Sequence, residues 1–163
     1  MSGGLTRAIG ETESSPLVGF YTLDLTRPRE AMNQSYNAFR YASEELRDDN
    51  ELVLEAVRAS SHTFRYASDR LKNDRDFVLE VVKVNGIALE HAGEMLKDDD
   101  EIVREAVKSW GFVFRYASDR LKHDRVFVLE AARINGDVLE YAAEELKNDK
   151  EFIASISGAG DGV

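Results

Sequence analysis

The feature that most constrains this chain is a 25-residue pattern that recurs without a gap. One copy reads YASEELRDDNELVLEAVRASSHTFR, and the next reads YASDRLKNDRDFVLEVVKVNGIALE. Such a period predicts an array of similar units, each too small to bury its apolar surface alone. Residues 1–20 are expected to be flexible or to cap the array, and residues 154–163 to form a flexible tail. The array itself occupies 21–153, with units at about 21–40, 41–65, 66–90, 91–115, 116–140 and 141–153.

Columns that are apolar in every copy predict the core. We number the units from the first clear copy, 41–65, so that 66–90 is the second unit. In the second unit, apolar residues from Phe77 to Val82 follow the spacing i, i+1, i+4, i+5, and those from Leu89 to Leu96 follow i, i+3, i+7. Both spacings place the residues on one face of a helix. We therefore expect two helices in this unit, at about 74–84 and 87–97. The whole chain is expected to be an all-α fold, an α-solenoid of helix-turn-helix repeats with about ten short helices. The main core columns are Ala42, Ala67, Ala92, Ala117 and Ala142; Leu46, Leu71, Leu96, Leu121 and Leu146; Phe39, Phe64, Leu89, Phe114 and Leu139; and Leu52, Phe77, Ile102, Phe127 and Phe152.

Residues between the apolar segments predict where helices begin and end. Asn73 precedes Asp76 by three residues, the arrangement of a capping box, so Asn73 is expected to cap the helix that follows. Asp74 is then expected in the first helical turn, where the helix dipole favours a negative charge. The pair Asn85-Gly86 is expected to end the helix, with Gly86 in the left-handed conformation common at that position.

Composition excludes several classes of function. The chain has 31 acidic and 21 basic residues, a net charge of −10, which disfavours nonspecific binding to nucleic acid or to anionic membranes. It has no cysteine, and therefore no disulfide, thiolate metal site or cysteine nucleophile. No run approaches the roughly 18 apolar residues of a membrane span, and the first residues lack the apolar centre of a secretory signal. We expect a cytoplasmic protein with a protein partner, no nucleic acid and no membrane insertion, and leave the oligomeric state open.

The acidic loops at 47–51 and 97–101 raise an alternative function. A small regulatory domain that binds a divalent cation or a small ligand would use such loops, although they lack the alternating oxygens and central glycine of an EF-hand. His62, His91 and His123 fall in three different columns, so no two of them have the spacing of metal ligands. We therefore expect no metal site and no cofactor. The common catalytic motifs are missing from the sequence, which predicts no catalytic residue and no enzyme.

The most regular units resemble a known repeat. The string LKNDRDFVLE followed by NGIALEHAGEML, at 71–96, and its counterpart at 121–146 resemble a tandem repeat of a domain-of-unknown-function family. The resemblance extends over about 30–153, and it implies helical arrays without catalytic residues. Trp110-Gly111 departs from it by replacing Asn-Gly, and His91 departs from it by replacing the opening tyrosine.

Residues that depart from their column are the best guide to a partner. Trp110 is the only tryptophan and interrupts a polar column, and Phe112 interrupts a mostly polar one. Both lie at the turn between the two expected helices of the third unit, on the edge opposite the charged loops. An exposed Trp-Phe pair suits an interface anchor, and the alternative is that the two rings cover local apolar surface. We therefore expect a noncatalytic scaffold for protein-protein interaction, or a soluble subunit of a larger assembly, with Trp110 and Phe112 as partner-binding residues.

The surface has a longer period than the fold. Units one and three resemble each other, as do units two and four. The loops at 47–51 and 97–101 have net charges of −2 and −3, whereas those at 72–76 and 122–126 have 0 and +1. Acidic patches are therefore expected to alternate along one edge. Duplication of a two-unit block is the simplest cause, and a partner with matching periodicity is the alternative.

Overall fold

The computed structural model describes residues 36–157 and is all-α over that range, as the repeat predicted. The expected segment at 1–20, most of the unit expected at 21–40 and residues 158–163 lie outside the described residues. The last helix continues to Ser157, so residues 154–157, which were expected to begin the tail, are helical. Phe152 is fully buried and Ile153 and Ile156 are partly buried against the core, which explains why the helix continues.

Each unit combines a long α-helix, a 3₁₀ helix and a short α-helix or turn. The long helices are α2 (Asn50–Ala59), α4 (Arg75–Val84), α5 (Asp100–Ser109), α7 (Arg125–Ile134) and α9 (Lys150–Ser157). The 3₁₀ helices are η1 (Tyr36–Tyr41), η2 (Ser61–Tyr66), η3 (Gly86–His91), η4 (Gly111–Tyr116) and η5 (Gly136–Tyr141). The short helices are α1 (Glu44–Arg47), α3 (Asp69–Asn73), α6 (Asp119–His123) and α8 (Glu144–Lys147). In the third unit, residues 94–98 form a turn where the other units have a short helix.

The second helix of each unit is not continuous, which corrects the prediction of a single helix such as 87–97. After η2 the backbone becomes extended at Ala67 and Ser68, with ψ near 155° at both residues. The Ser68 hydroxyl then accepts a hydrogen bond from the Leu71 amide at 3.2 Å and begins a new helix. Apolar residues at i and i+3 share a face in a 3₁₀ helix as they do in an α-helix. The apolar spacing therefore could not separate the two forms.

The long helices are capped one residue later than predicted. Asp74, expected inside the first turn, is the N-cap residue, and its carboxylate accepts a hydrogen bond from the Phe77 amide at 3.0 Å. Asn73, the predicted cap, instead donates its side-chain amide to the Asp69 carbonyl at 2.7 Å. The same aspartate column caps the other long helices, through Asp49, Asp99, Asp124 and Asp149.

Gly86 does not take the left-handed conformation that was predicted for it. Asn85 ends α4 with an extended backbone, φ −155° and ψ 108°, and Gly86 starts η3 without a positive φ. The requirement for glycine comes from packing, because a Cβ at residue 86 would lie 2.3 Å from the carbonyl oxygen of Ala106 in the next unit. Neighbouring backbones therefore meet too closely for any side chain at this point.

Neighbouring units stack through a continuous core. Each long helix packs against the long helix of the next unit, and each 3₁₀ helix packs against the next 3₁₀ helix, which gives two layers. The predicted core columns are confirmed, with Leu71 and Leu121 completely buried and the alanine column at most 6% exposed. Leu46 and Leu139 are exceptions, since both are only partly buried.

A backbone hydrogen bond also joins each unit to the next. The amide of Ser68 donates to the carbonyl of Arg47 at 2.9 Å, where α1 ends. Helix ends leave carbonyl groups without partners in their own helix, and this bond satisfies one of them. The same bond recurs along the chain from Gly93 to Lys72, from Ser118 to Lys97 and from Ala143 to Lys122.

Candidate interaction edge

The four long helices α2, α4, α5 and α7 end along one edge of the molecule, which we call the turn edge. It comprises residues 58–62, 83–87, 108–112 and 133–137. Segments of neighbouring units lie close together. A Cβ at Gly86 would meet Ala106, two residues before the 108–112 segment, and a Cβ at Gly111 would meet Asn135 and Asp137. The opposite edge contains the N-caps of the same helices, and we call it the loop edge. A ten-residue helix is about 15 Å long, so this distance separates the two edges.

Trp110 and Phe112 lie on the turn edge, as the sequence predicted, but their exposure differs. Trp110 directly follows α5 and is 55% exposed. Phe112, in η4, is partly buried and packs against the core. The two ring centroids are 6.2 Å apart and the rings are tilted by 43°, a favourable geometry for an aromatic pair. Phe112 thus supports Trp110, and Trp110 is the member of the pair that solvent reaches.

Two further apolar side chains on this edge were missed by the sequence reasoning. Val84 and Ile134 end α4 and α7 and are 36% and 41% exposed. Their column holds Ala59 in the first clear unit and Ser109 in the third. A column that mixes small, polar and apolar residues is typical of a surface position. The only signal in the sequence is that its large apolar residues occur in every second unit. Val84, Trp110 and Ile134, one exposed apolar side chain from each of three successive units, are what we call the apolar strip.

A column of basic residues runs beside the apolar strip. The helices α2, α4, α5 and α7 each have one in the last turn, and all four are exposed, whereas α9 has no basic residue there. Three of the four turn-edge segments have a net charge of +1, and the fourth, 133–137, is neutral because it contains Asp137. This edge is therefore positive in a chain whose net charge is −10. The basic residues are Arg58, Lys83, Lys108 and Arg133.

On the loop edge, the acidic residues bind neighbouring units. Asp48 accepts hydrogen bonds from the Ser68 hydroxyl and from Nε of Arg70, the latter at 2.9 Å. The Ser68 hydrogen bond, followed by that of Arg70, lowers the pKa of Asp48. Fifty residues later, Asp98 is held in the same way by Ser118 and by Nε of Arg120, the latter at 2.8 Å. These carboxylates are engaged in contacts between units.

The other pairs of units use a different contact. Arg75 donates Nε to Asp99 at 2.8 Å and a terminal nitrogen to Glu101 at 2.7 Å. Burial alone would raise the pKa of Asp99, but the hydrogen bonds from Arg75 and from backbone amides lower it. Arg125 forms the equivalent ion pair with Asp149 and lowers the pKa of that carboxyl.

The 50-residue surface period follows from these two contacts. Units one and three supply the acid of the first contact, while units two and four supply the serine and the arginine. At the junction between units two and three this contact cannot form. Asn73 stands in the column of Asp48, and Met95 stands in the column of Arg70. Alternating charge thus matches each unit to its neighbours, a cause that the sequence reasoning did not consider.

The three histidines lie in different environments and do not form a common site. His91 is partly buried, and burial lowers its pKa, against the opposing effect of Glu90. His123 contacts the carbonyl of Asp119 through Nδ1 at 2.7 Å, and His62 is exposed on the turn edge. Within 36–157, no three histidine, aspartate or glutamate side chains converge as a metal site requires.

None of the helices in that range is both long and apolar enough to cross a membrane.

Comparison with known proteins identifies the repeat. The model of a family described as "Domain of unknown function (DUF4116)" matches at 29–72, 49–97 and 124–153. Several matches along one chain agree with a tandem repeat of this domain. No curated protein and no solved structure matches the chain.

Proposed function

This chain belongs to the DUF4116 family, and we propose that it is a noncatalytic α-solenoid that binds a partner protein along its turn edge. The exposure of Trp110 carries this proposal. The fold buries Phe39, Phe64 and Phe114 to 1% exposure or less, whereas the single tryptophan remains 55% exposed. Its column is polar in the neighbouring units, so the array does not need an aromatic ring there.

The surroundings of Trp110 favour an interface. Val84 and Ile134 are exposed on the neighbouring helices and extend the apolar surface to both sides. Phe112 contacts the indole and is itself packed against the core, and this contact favours one orientation of the indole over others. A side chain that is already ordered loses less conformational entropy when a partner binds. Tryptophan is also among the residues most enriched at the energetic centres of interfaces.

The repeat supports the noncatalytic scaffold and the solenoid. Contacts between successive units, made by helices and by backbone hydrogen bonds, are the arrangement that a solenoid extends. Acids that recur in every unit serve stacking and capping, and an active site needs a unique set of converging groups. We include in the proposal a cytoplasmic location, an association with protein and not with nucleic acid, and a place for the chain as a soluble subunit of a larger assembly.

A capture experiment tests the proposal. The tagged chain, its Trp110→Ser variant and its Met95→Ser variant are each used to purify partners from cells of the source organism. Met95 is a matched control, because it is an apolar residue with 81% exposure at a turn away from the apolar strip. We expect Trp110→Ser to lose a partner that Met95→Ser retains, with both variants melting like the parent. Equal capture by all three chains would contradict the proposal.

A further inference from the structure

The turn edge combines exposed apolar side chains with a positive charge, and this combination restricts the partner. From it we infer that the segment bound along the turn edge is an acidic peptide with apolar residues, lying extended across the ends of the long helices. The inference rests on the proposed function and names the chemistry of its partner.

The basic column supplies the first argument. Lys83 and Lys108 lie in the last turn of their helices, where a positive charge is favoured by the helix dipole. The dipole accounts for those charges but not for an exposed Trp110 beside them. Lys108 contacts Glu105 of its own helix at 2.6 Å and is still 54% exposed. An acidic segment would find a cation at each unit and an apolar surface alongside.

Spacing supplies the second argument. Helices that pack against each other lie about 8–10 Å apart, and an extended chain in the polyproline II conformation advances about 3.1 Å per residue with three residues per turn, so that every third side chain points to the same side. Three residues of an extended peptide therefore cross about one unit. An acidic residue at every third position would meet the basic column repeatedly, and apolar residues between them would meet the apolar strip. Asp137 reduces the positive charge at the 133–137 segment, so the contact is expected to be strongest at 58–112.

Trp110 provides a direct measurement, because it is the only tryptophan in the chain. A 15-residue synthetic peptide with glutamate at every third position and leucine or alanine between them is titrated into the full chain. The matched probe has lysine in place of each glutamate, and neither peptide contains an aromatic residue. We expect the glutamate peptide to shift the Trp110 emission to shorter wavelength, saturably and less at high salt, since salt screens exposed charges. The lysine peptide is expected to leave the emission unchanged.

Two variants locate the charge effect. Lys83→Gln removes one cation from the turn edge, and Lys150→Gln removes an exposed cation from the loop edge, where it starts α9. We expect Lys83→Gln to weaken binding of the glutamate peptide by about two- to fivefold, the effect of losing one exposed ion pair. Lys150→Gln is expected to bind like the parent, and both variants to melt like it.

Three results with the peptides would overturn the inference. They are no binding of the glutamate peptide, equal binding of the lysine peptide, and an unchanged affinity in Lys83→Gln. A fourth is preferential binding to vesicles of phosphatidylserine, which would identify an anionic membrane as the occupant. The proposed function is judged separately by whether capture of a cellular protein depends on Trp110. Capture that depends on Trp110 with no response to either peptide would retain the proposed function and reject the acidic segment.

Discussion

At the scale of single residues, two glycines in the same column differ in how closely other residues pack around them. Gly86 and Gly136 both follow an asparagine and both begin a 3₁₀ helix. A Cβ on Gly86 would lie 2.3 Å from the carbonyl oxygen of Ala106, whereas a Cβ on Gly136 would meet nothing within 4 Å. The packing of the next unit determines which glycine is needed, so the same Asn-Gly pair has a steric constraint at one position and none at the other.

This difference predicts opposite effects of one substitution. Gly86→Ala forces a backbone to shift and is expected to lower the free energy of unfolding by about 1–3 kcal/mol, as overpacking does. Gly136→Ala has space, and restricting the unfolded chain is expected to leave stability unchanged or to raise it by up to about 1 kcal/mol. Urea unfolding of the two variants and the parent measures this. Equal losses in both would mean that the column needs glycine for its backbone conformation instead.

The sequence predicted residues of the core better than residues of the surface. Core columns recur because every unit buries them, and Leu71 and Phe77 were placed correctly for that reason. The position of Trp110 was predicted as well, since a departure from a polar column is visible in an alignment. Val84 was not identified, because an apolar residue at the end of a helix has an exposure that depends on its neighbours.

At the scale of elements, the caps determine where helices begin more than the apolar pattern does. The apolar residues from Leu89 to Leu96 predicted one helix, and the chain instead forms η3 and a turn. Serine column residues such as Ser68 and Ser118 are signals that were available, since serine is a preferred N-cap. The spacing of the apolar residues favours a continuous helix all the same, because residues at i and i+3 share a face in an α-helix and in a 3₁₀ helix.

The position of the caps can be tested by mutation. Asp74→Ala removes the acceptor for the Phe77 amide and is expected to lower the free energy of unfolding by about 0.5–2 kcal/mol. Asp76→Ala is the control, because Asp76 lies in the same first turn with a side chain 97% exposed. Its loss is expected to be a few tenths of a kcal/mol, the effect of one charge near a helix end. Thermal and urea unfolding would contradict this assignment if the control lost as much as Asp74→Ala.

At the scale of the whole molecule, carboxylates link the units and make the stability of the array depend on pH. The Ser118 hydrogen bond, with a further contribution from Arg120, lowers the pKa of Asp98, as Ser68 and Arg70 lower the pKa of Asp48. An unfolded aspartate has a pKa of about 3.9. A group whose pKa is lower in the folded state stabilises the fold above that value, and this contribution is lost as the pH falls through the folded pKa.

We therefore expect the melting temperature to fall steeply below about pH 4. The double variant Arg70→Met, Arg120→Met places at both positions the residue that unit three has at Met95. It is expected to melt at a lower temperature at pH 7 and to lose less between pH 7 and pH 2. Arg133→Met, on the turn edge, is the control and is expected to follow the parent. Parallel pH curves for the double variant and the parent would argue against this role of the arginines.

The alternating contacts also restrict how a gene for this chain changes length. Deleting residues 66–90 would place Asp48 opposite Gly93 and Met95, which supply neither the hydroxyl nor the guanidinium of the present contact. Deleting residues 66–115 would place it opposite Ser118 and Arg120, and the contact would be restored. Adding or deleting two units at a time preserves the contact at every junction between units. The stretch of gene that can be duplicated or deleted without breaking these contacts is therefore twice as long as one folded unit.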